Sequence, residues 1–108
     1  MGPGELEIDV QAADGVTAVR VTGEIDLSTA EDVVVAVGTA ARPGGRIELD
    51  LRPVAFMDSS GVAALTRCRR LVDAAGGALT VRCASTGPVA QLVEWTGLQQ
   101  VLDIRLEA

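Results

Sequence analysis

Apolar and polar residues alternate in several short segments of this chain, which is the pattern of strands that are buried on one face only. In the central segment, Ile47, Leu49 and Leu51 alternate with charged residues, and Pro53 ends the pattern. Similar alternation predicts strands over residues 79–83 and 101–106. Between these segments the apolar residues recur at helical spacing, so strands and helices are expected to follow one another along the chain.

The N-terminal part of the chain predicts a β-hairpin. Leu6, Ile8 and Val10 alternate with acidic residues in a first strand. The sequence Ala13-Asp14-Gly15 is typical of a tight turn, and residues 16–22 follow it as a second half-buried strand. Residues 23–27 are predicted to form a loop.

Three stretches predict helices. The sequence Ser28-Thr29-Ala30-Glu31 has the Ser-x-x-Glu spacing of a capping box, and the helix that it begins should run to about Ala41. A second helix is predicted from about Ser60 to Ala75, where Gly76 and Gly77 stop it. The third should begin at Pro88 and end with a cap on Gly97.

The strand pattern also predicts how the layers are arranged. Strands that alternate with helices favour a parallel sheet, and a sheet covered on both faces has strands that are apolar throughout. These strands instead place polar residues at alternate positions, namely Glu48, Asp50, Arg52, Thr80, Arg82, Asp103 and Arg105. We therefore predict an α/β domain with a mixed, mainly parallel sheet of about five strands, an N-terminal β-hairpin and helices layered mainly on one face.

The composition fits one compact domain over residues 1–108, since 48% of the residues are hydrophobic. The chain has one Trp, one Phe and no Tyr, so the core must consist of Val, Leu, Ile and Ala. Cys68 and Cys83 lack the spacing of metal ligands and are predicted to be buried free thiols. Trp95 lies near the end of an amphipathic helix, where packing is favoured over a role in an exposed contact surface.

The charge distribution favours a protein partner. The net charge is −6 and all nine basic residues are arginines, which argues against direct nucleic-acid binding and against a polybasic membrane patch. The chain shows neither a secretory signal pattern nor an apolar run of the ~20 residues that a membrane helix needs. A cytoplasmic location is expected.

The residue types argue against an enzyme. A serine nucleophile needs a base, and the chain contains no His, Lys or Tyr. It also contains neither a glycine-rich phosphate loop nor a set of metal-ligating residues, so no catalytic residue, cofactor or metal is expected. Asp26 and Asp58 could act as an acid and base pair, but such carboxylates are more often solvated or capping groups.

The stretch from Asp58 to Ser60 lies where the second predicted helix begins. Side-chain oxygens of Asp58, Ser59 and Ser60 are suited to accept hydrogen bonds from the free N–H groups of a first helical turn. Such a cap alone is worth about 1 kcal/mol and needs no further function. Because the positive end of the helix dipole lies here, negative charge at this point is also favoured.

The run from Phe56 to Val62 resembles the signature of the bacterial anti-sigma-factor antagonists, which are STAS domains. It follows a strand that ends in Asp-Leu and it precedes a helix, as in that family. Further matches are the sequence Gly23-Glu24-Ile25-Asp26, the pair Gly76-Gly77, and Leu92 to Leu98 with Gly97. The resemblance covers nearly the whole chain and implies the same one-sided α/β fold.

The resemblance implies a switch that regulates transcription, of the kind used in bacterial stress responses. Unphosphorylated protein would bind an anti-sigma factor with serine kinase activity, phosphorylation of Ser59 would end that binding, and a serine phosphatase would restore it. The partner-binding residues would be Asp26, Asp58, Ser59, Ser60 and Gly61, with Asp26 in the docking loop and Asp58 supporting the phosphoacceptor. The alternative is a constitutive STAS subunit of a transporter or a signalling assembly, in which Ser59 is not modified.

Overall fold

The computed structural model of the protein describes residues 6–108, which form six strands, three α-helices and one turn of 3₁₀ helix. The strands are β1 (Leu6–Ala13), β2 (Val16–Ile25), β3 (Arg46–Asp50), β4 (Val54–Met57), β5 (Ala78–Ala84) and β6 (Ile104–Glu107). The helices are α1 (Ala30–Ala40), α2 (Ser59–Ala74) and α3 (Pro88–Thr96), and the 3₁₀ turn covers Leu98–Gln100.

The strands form one mixed sheet in the order β1-β2-β3-β5-β6, with β4 paired to β2. The β1–β2 pair is antiparallel and all other pairs are parallel. The predicted α/β fold with an N-terminal hairpin is therefore confirmed. Its turn has Asp14 and Gly15 at φ angles of 55° and 79°, the left-handed values that a two-residue hairpin loop requires.

The prediction of about five strands missed β4, and the prediction of a loop over residues 23–27 was wrong for its first half. Strand β2 continues to Ile25, and Val54–Met57 lies beside this extension. After β3 the chain turns, with the Val54 N–H donating to the Leu51 carbonyl at 3.0 Å, and it then resumes pairing with β2. The β2–β4 pairing has a register irregularity between Gly23, whose φ is 114°, and Glu24.

The apolar core lies between the sheet and the helices. The inward residues of the central strands are fully buried, among them Val19, Val21, Leu49 and Val81. Cys68 and Cys83 are free and buried, as predicted. Burial raises the pKa of the Cys68 thiol to about 12 and that of Cys83 to about 11, so both thiols are protonated at neutral pH.

The opposite face of the sheet carries a layer of ion pairs. Arg82 on β5 donates to Glu107 on β6 at 2.6 Å and to Glu48 on β3 at 3.0 Å, which ties three strands together. Arg52 donates to both carboxylate oxygens of Asp50 at 2.9 Å. The prediction of one polar sheet face is confirmed, although Asp50 itself is only 6% exposed because Arg52 forms hydrogen bonds with it.

This layer is expected to make folding stability sensitive to acid. The hydrogen bond from Arg82 holds the pKa of the Glu107 carboxyl below its usual value, and that from Arg52 does the same for Asp50. A depressed pKa in the folded state contributes stability above the unfolded value and loses it as the pH falls through the folded value. The urea concentration at the midpoint of unfolding should therefore decrease as the pH is lowered below about 5.

The pH dependence should weaken in Arg82→Gln, because Glu107 then loses the hydrogen bond that does most to lower its pKa. Arg46→Gln is the control, since Arg46 is an exposed residue at the beginning of β3 and lies outside these hydrogen bonds. Urea unfolding of both variants between pH 7 and pH 3 tests this. Equal acid sensitivity in both would show that the Arg82–Glu107 pair contributes nothing to it.

Two boundary or burial predictions were wrong. Trp95 is 74% exposed, since α3 turns its buried face, Val89, Ala90 and Val93, to the core and Trp95 away from it. The last strand begins at Ile104 and not at residue 101, because the chain first makes the 3₁₀ turn. The predicted cap on Gly97 is confirmed by its left-handed φ of 67°.

Within residues 6–108, no helix has the length and apolar character to cross a bilayer.

Candidate functional site

Helix α2 begins directly after β4, and Asp58 caps it. The Asp58 side chain accepts a hydrogen bond from the Ser60 N–H at 2.8 Å, while its carbonyl accepts one from the Gly61 N–H at 2.9 Å. The helix therefore begins at Ser59, one residue earlier than predicted, and Asp58 supplies the cap. The positive end of the α2 dipole therefore lies beside Ser59.

The two serines differ in exposure. Ser59 is exposed and Ser60 is half-buried. Within residues 6–108, neither hydroxyl makes a hydrogen bond to another protein group. The Ser59 hydroxyl is therefore accessible at the positive end of α2, where a negative group is electrostatically favoured.

Asp26 directly follows β2, in the loop that leads to α1. Ile25 on β2 and Met57 on β4 are partners in register, so Asp26 and Asp58 leave the sheet side by side. The Asp26 carboxylate accepts hydrogen bonds from the Ser28 hydroxyl at 2.7 Å and from the Ser28 N–H at 2.9 Å. The Ser28 hydroxyl holds the pKa of this carboxyl below its usual value.

The predicted capping box at Ser28 is absent. The N-cap of α1 is Thr29, whose hydroxyl donates to the Glu24 carbonyl at 2.8 Å instead of capping the helix. The Asp26 carboxylate takes over part of this role by accepting the Thr29 N–H at 3.2 Å. A predicted docking residue is thus also a structural residue of its own loop.

A groove of about 420 Å³ runs between the beginnings of α1 and α2. Its lining residues are Leu27, Ala30, Glu31, Ser59, Ser60, Ala63, Ala64 and Arg67. Leu27 is 85% exposed, an unusual position for a large apolar side chain. The groove places the Ser59 hydroxyl beside an apolar wall, and this arrangement suits a protein contact.

Gly61 holds α2 close to the sheet and is itself buried. A Cβ atom at this position would lie 2.2 Å from Met57 Cγ and 3.1 Å from Ile25 Cγ2. Gly61 was predicted to bind the partner; it is buried in the structure, and its part in partner binding stays a prediction. Its contribution is to allow the close packing that fixes the position of Ser59.

A cross-helix ion pair borders the groove, and sequence reasoning missed it. Arg67 on α2 donates to Glu31 on α1, with Nη1 2.7 Å from Oε1 and Nη2 3.4 Å from Oε2. This hydrogen bonding lowers the pKa of the Glu31 carboxyl and raises that of the Arg67 guanidinium. The two residues of this pair are 36 positions apart in the chain. The sequence indicated only that Arg67 lies two helical turns beyond Ser59, and this spacing does not identify Glu31 as its partner.

The part of the chain that the structure describes contains no group of three or more His, Cys, Asp or Glu side chains placed to hold a metal ion. The chemistry of the site therefore consists of two hydroxyls, capping carboxylates and one ion pair at the beginning of a helix.

The fold and the site together define a small α/β domain with a one-sided sheet and a helix that begins at an exposed serine directly after β4. A family model described as "Mlab, STAS domain" matches residues 8–105. The chain belongs to the STAS domain family.

Known members of this family are similar over most of the chain. The anti-sigma F factor antagonist of Paenibacillus polymyxa is 33% identical over 101 residues, which cover 92% of this chain and 86% of the relative. The crystal structure of an anti-sigma factor antagonist from Mycobacterium paratuberculosis has a TM-score of 0.83 at 26% identity and covers 95% of this chain and 87% of that one.

A third similar structure is that of the Bacillus cell fate determinant SpoIIAA in its phosphorylated form. Its TM-score is 0.66 at 21% identity, and the match covers 94% of this chain and 92% of that chain. At this identity the likeness shows a shared fold.

Proposed function

We propose that this protein is an anti-sigma factor antagonist that phosphorylation of Ser59 switches off. Its unphosphorylated form binds an anti-sigma factor with serine kinase activity and so releases the sigma factor. The observation that carries the proposal is the exposed Ser59 at the first residue of α2, in a chain 33% identical to an anti-sigma F factor antagonist. The similarity to a fold solved in phosphorylated form supports it.

The modification is a phosphoryl transfer from ATP. The Ser59 oxygen forms a bond to the γ-phosphorus, the bond from that phosphorus to the β–γ bridging oxygen breaks, and ADP leaves. The serine proton passes to a base of the kinase, since the groove residues of this chain offer none besides the ion-paired Glu31. A phosphatase reverses the change by hydrolysing the serine phosphate to serine and inorganic phosphate.

The domain is suited to carry the phosphate without unfolding. The group adds about −1.5 to −2 charges at neutral pH, and the first turn of α2 favours negative charge. Asp58 keeps that turn in place through its cap on Ser60, and Ser60 provides a second hydroxyl beside the site. Phosphorylation then acts through the surface that the partner contacts, where Asp26 and Leu27 border the same site.

The proposal is tested by incubating the protein with ATP and kinase-type anti-sigma factors encoded in the same genome, followed by mass spectrometry. We expect one phosphate, on Ser59, and none in Ser59→Ala. Ser60→Ala is the matched control and should remain a substrate. Phosphate only at other positions, or full labelling of Ser59→Ala, would contradict the proposal. Binding of a transporter or signalling subunit without modification would favour the constitutive alternative.

A further inference from the structure

Arg67 is the one positively charged residue among the described residues that line the groove beside Ser59. Its ion pair with Glu31 lies on the surface, with the two side chains 53% and 62% exposed. Exposed pairs of this kind contribute little to stability, so a stronger anion can replace the carboxylate at small cost. The structure therefore provides a guanidinium that is near the proposed phosphorylation site and easily released.

The helix geometry allows the two groups to meet. Ser59, Ala63 and Arg67 are spaced four residues apart and therefore lie along one face of α2. The rise between Ser59 and Arg67 is about 12 Å, so a contact requires the Arg67 side chain to extend fully toward the helix N-terminus and the phosphate to turn toward the C-terminus, against the usual tilt of helical side chains. Ala63 lies between them and is too small to block the approach.

We propose that, once Ser59 is phosphorylated, Arg67 leaves Glu31 and binds the phosphate, closing the groove between α1 and α2. This inference rests on the proposed function, because it requires a phosphate on Ser59. The exchange is favoured because the phosphate carries about −1.5 to −2 charges against −1 for the carboxylate, and guanidinium binds phosphate through two parallel hydrogen bonds.

The exchange changes the groove in two ways. The Arg67 side chain crosses above Ala63 and covers the surface where a partner side chain would enter. Glu31 loses its counterion, so α1 then presents a free carboxylate at the rim. Phosphorylation would therefore alter both shape and charge along the groove, beyond the local repulsion at Ser59.

The surrounding charges make Arg67 the group to test. The other ionisable side chains near the phosphate position are acidic: Asp58 at the cap, Asp26 in the adjacent loop and Glu31 on α1. Carboxylates raise the second pKa of a phosphate, whereas a bound guanidinium lowers it. The pKa change on removing Arg67, measured against the change on removing Arg70, therefore reports whether the Arg67 charge acts on the phosphate.

The test uses protein with phosphoserine genetically encoded at position 59 and follows the phosphate by phosphorus NMR as the pH is varied. In Arg67→Gln we expect the second pKa of the phosphate to rise by about 0.5. In Glu31→Gln it should fall below the wild-type value, because the competing carboxylate is gone. Arg70→Gln removes the same charge from an exposed position of α2 outside the groove and should leave the pKa close to that of wild type.

An unchanged phosphate pKa in Arg67→Gln, or an equal rise in Arg70→Gln, would overturn the proposal. Circular dichroism of each variant checks that the fold is retained, which the exposure of all three side chains favours. The encoded phosphoserine needs no kinase, so this result is independent of the kinase assay. If Ser59 is not phosphorylated in the kinase assay but the phosphate titrates as expected, only the proposed function is refuted. If Ser59 is phosphorylated but the phosphate pKa does not respond to Arg67→Gln, only the role of Arg67 is refuted.

Discussion

Protein phosphorylated on Ser59 is expected to bind its anti-sigma partner about a hundredfold more weakly than unmodified protein. A like charge of the partner about 6 Å from the phosphate costs roughly 3 kcal/mol at an effective dielectric constant of about 20. The exposed position of Ser59 beside the α1–α2 groove brings the phosphate into a contact made there. The repulsion should weaken as salt increases.

Isothermal titration calorimetry with encoded phosphoserine at position 59 measures this effect. Ser59→Asp carries a smaller charge and should lose about tenfold in affinity. Gln99→Glu adds the same single charge at an exposed position in the 3₁₀ turn and should bind as the unmodified protein does. Equal affinity of the phosphorylated and unmodified proteins would contradict the switch, and an equal loss in Gln99→Glu would show that overall charge causes it.

Gly61→Ala is expected to lower the free energy of unfolding by about 2 kcal/mol. The added Cβ would lie 2.2 Å from Met57 Cγ and 2.6 Å from Met57 Sδ, and Met57 is buried with 3% of its surface exposed. Relief requires α2 to move away from the sheet or Met57 to leave its position. Either change disturbs the beginning of α2, so the capped turn at Ser59 should also loosen.

Gly38→Ala is the matched control for this experiment. Gly38 also lies within a helix, so both substitutions gain the same intrinsic helix propensity, up to about 1 kcal/mol. The new Cβ at position 38 meets only Leu71 Cδ1 at 3.3 Å, and Leu71 is 41% exposed, so the end of its side chain is able to turn aside. Urea unfolding should therefore show Gly38→Ala to be neutral or stabilised. A Gly61→Ala protein as stable as this control would show that the packing of α2 on β4 is loose.

The fold could be predicted from the sequence wherever a local pattern reports a local structure. The turn at Asp14-Gly15 and the one-sided burial of β3 and β5 follow from residue types within a few positions of each other. Strand β4 could not be predicted in this way, because Val54–Met57 is short, lacks alternation and pairs with β2. Its partner lies about thirty residues earlier in the chain, and such pairing is decided by the assembled sheet.

The candidate site was predictable in part for the same reason. The cap by Asp58 and the position of Ser59 at the beginning of α2 depend on adjacent residues, and the sequence located both to within one residue. The groove depends on how α1 and α2 pack together, so its Glu31–Arg67 pair and the exposure of Leu27 were invisible in the sequence. The structure also identifies the groups that the Asp26 carboxylate binds in its own loop, the N–H groups of Ser28 and Thr29.

By itself, the sequence determined the order of the helices and of every strand except β4, the polar face of the sheet and the helix start that bears Ser59. These features follow from backbone preferences and from the burial of alternate side chains, which act over short distances along the chain. Only the tertiary structure decided which surfaces meet: β4 beside β2, Asp26 beside Asp58, and Arg67 against Glu31. Contacts between distant segments depend on the packing of the whole core, and residue spacing does not encode them locally.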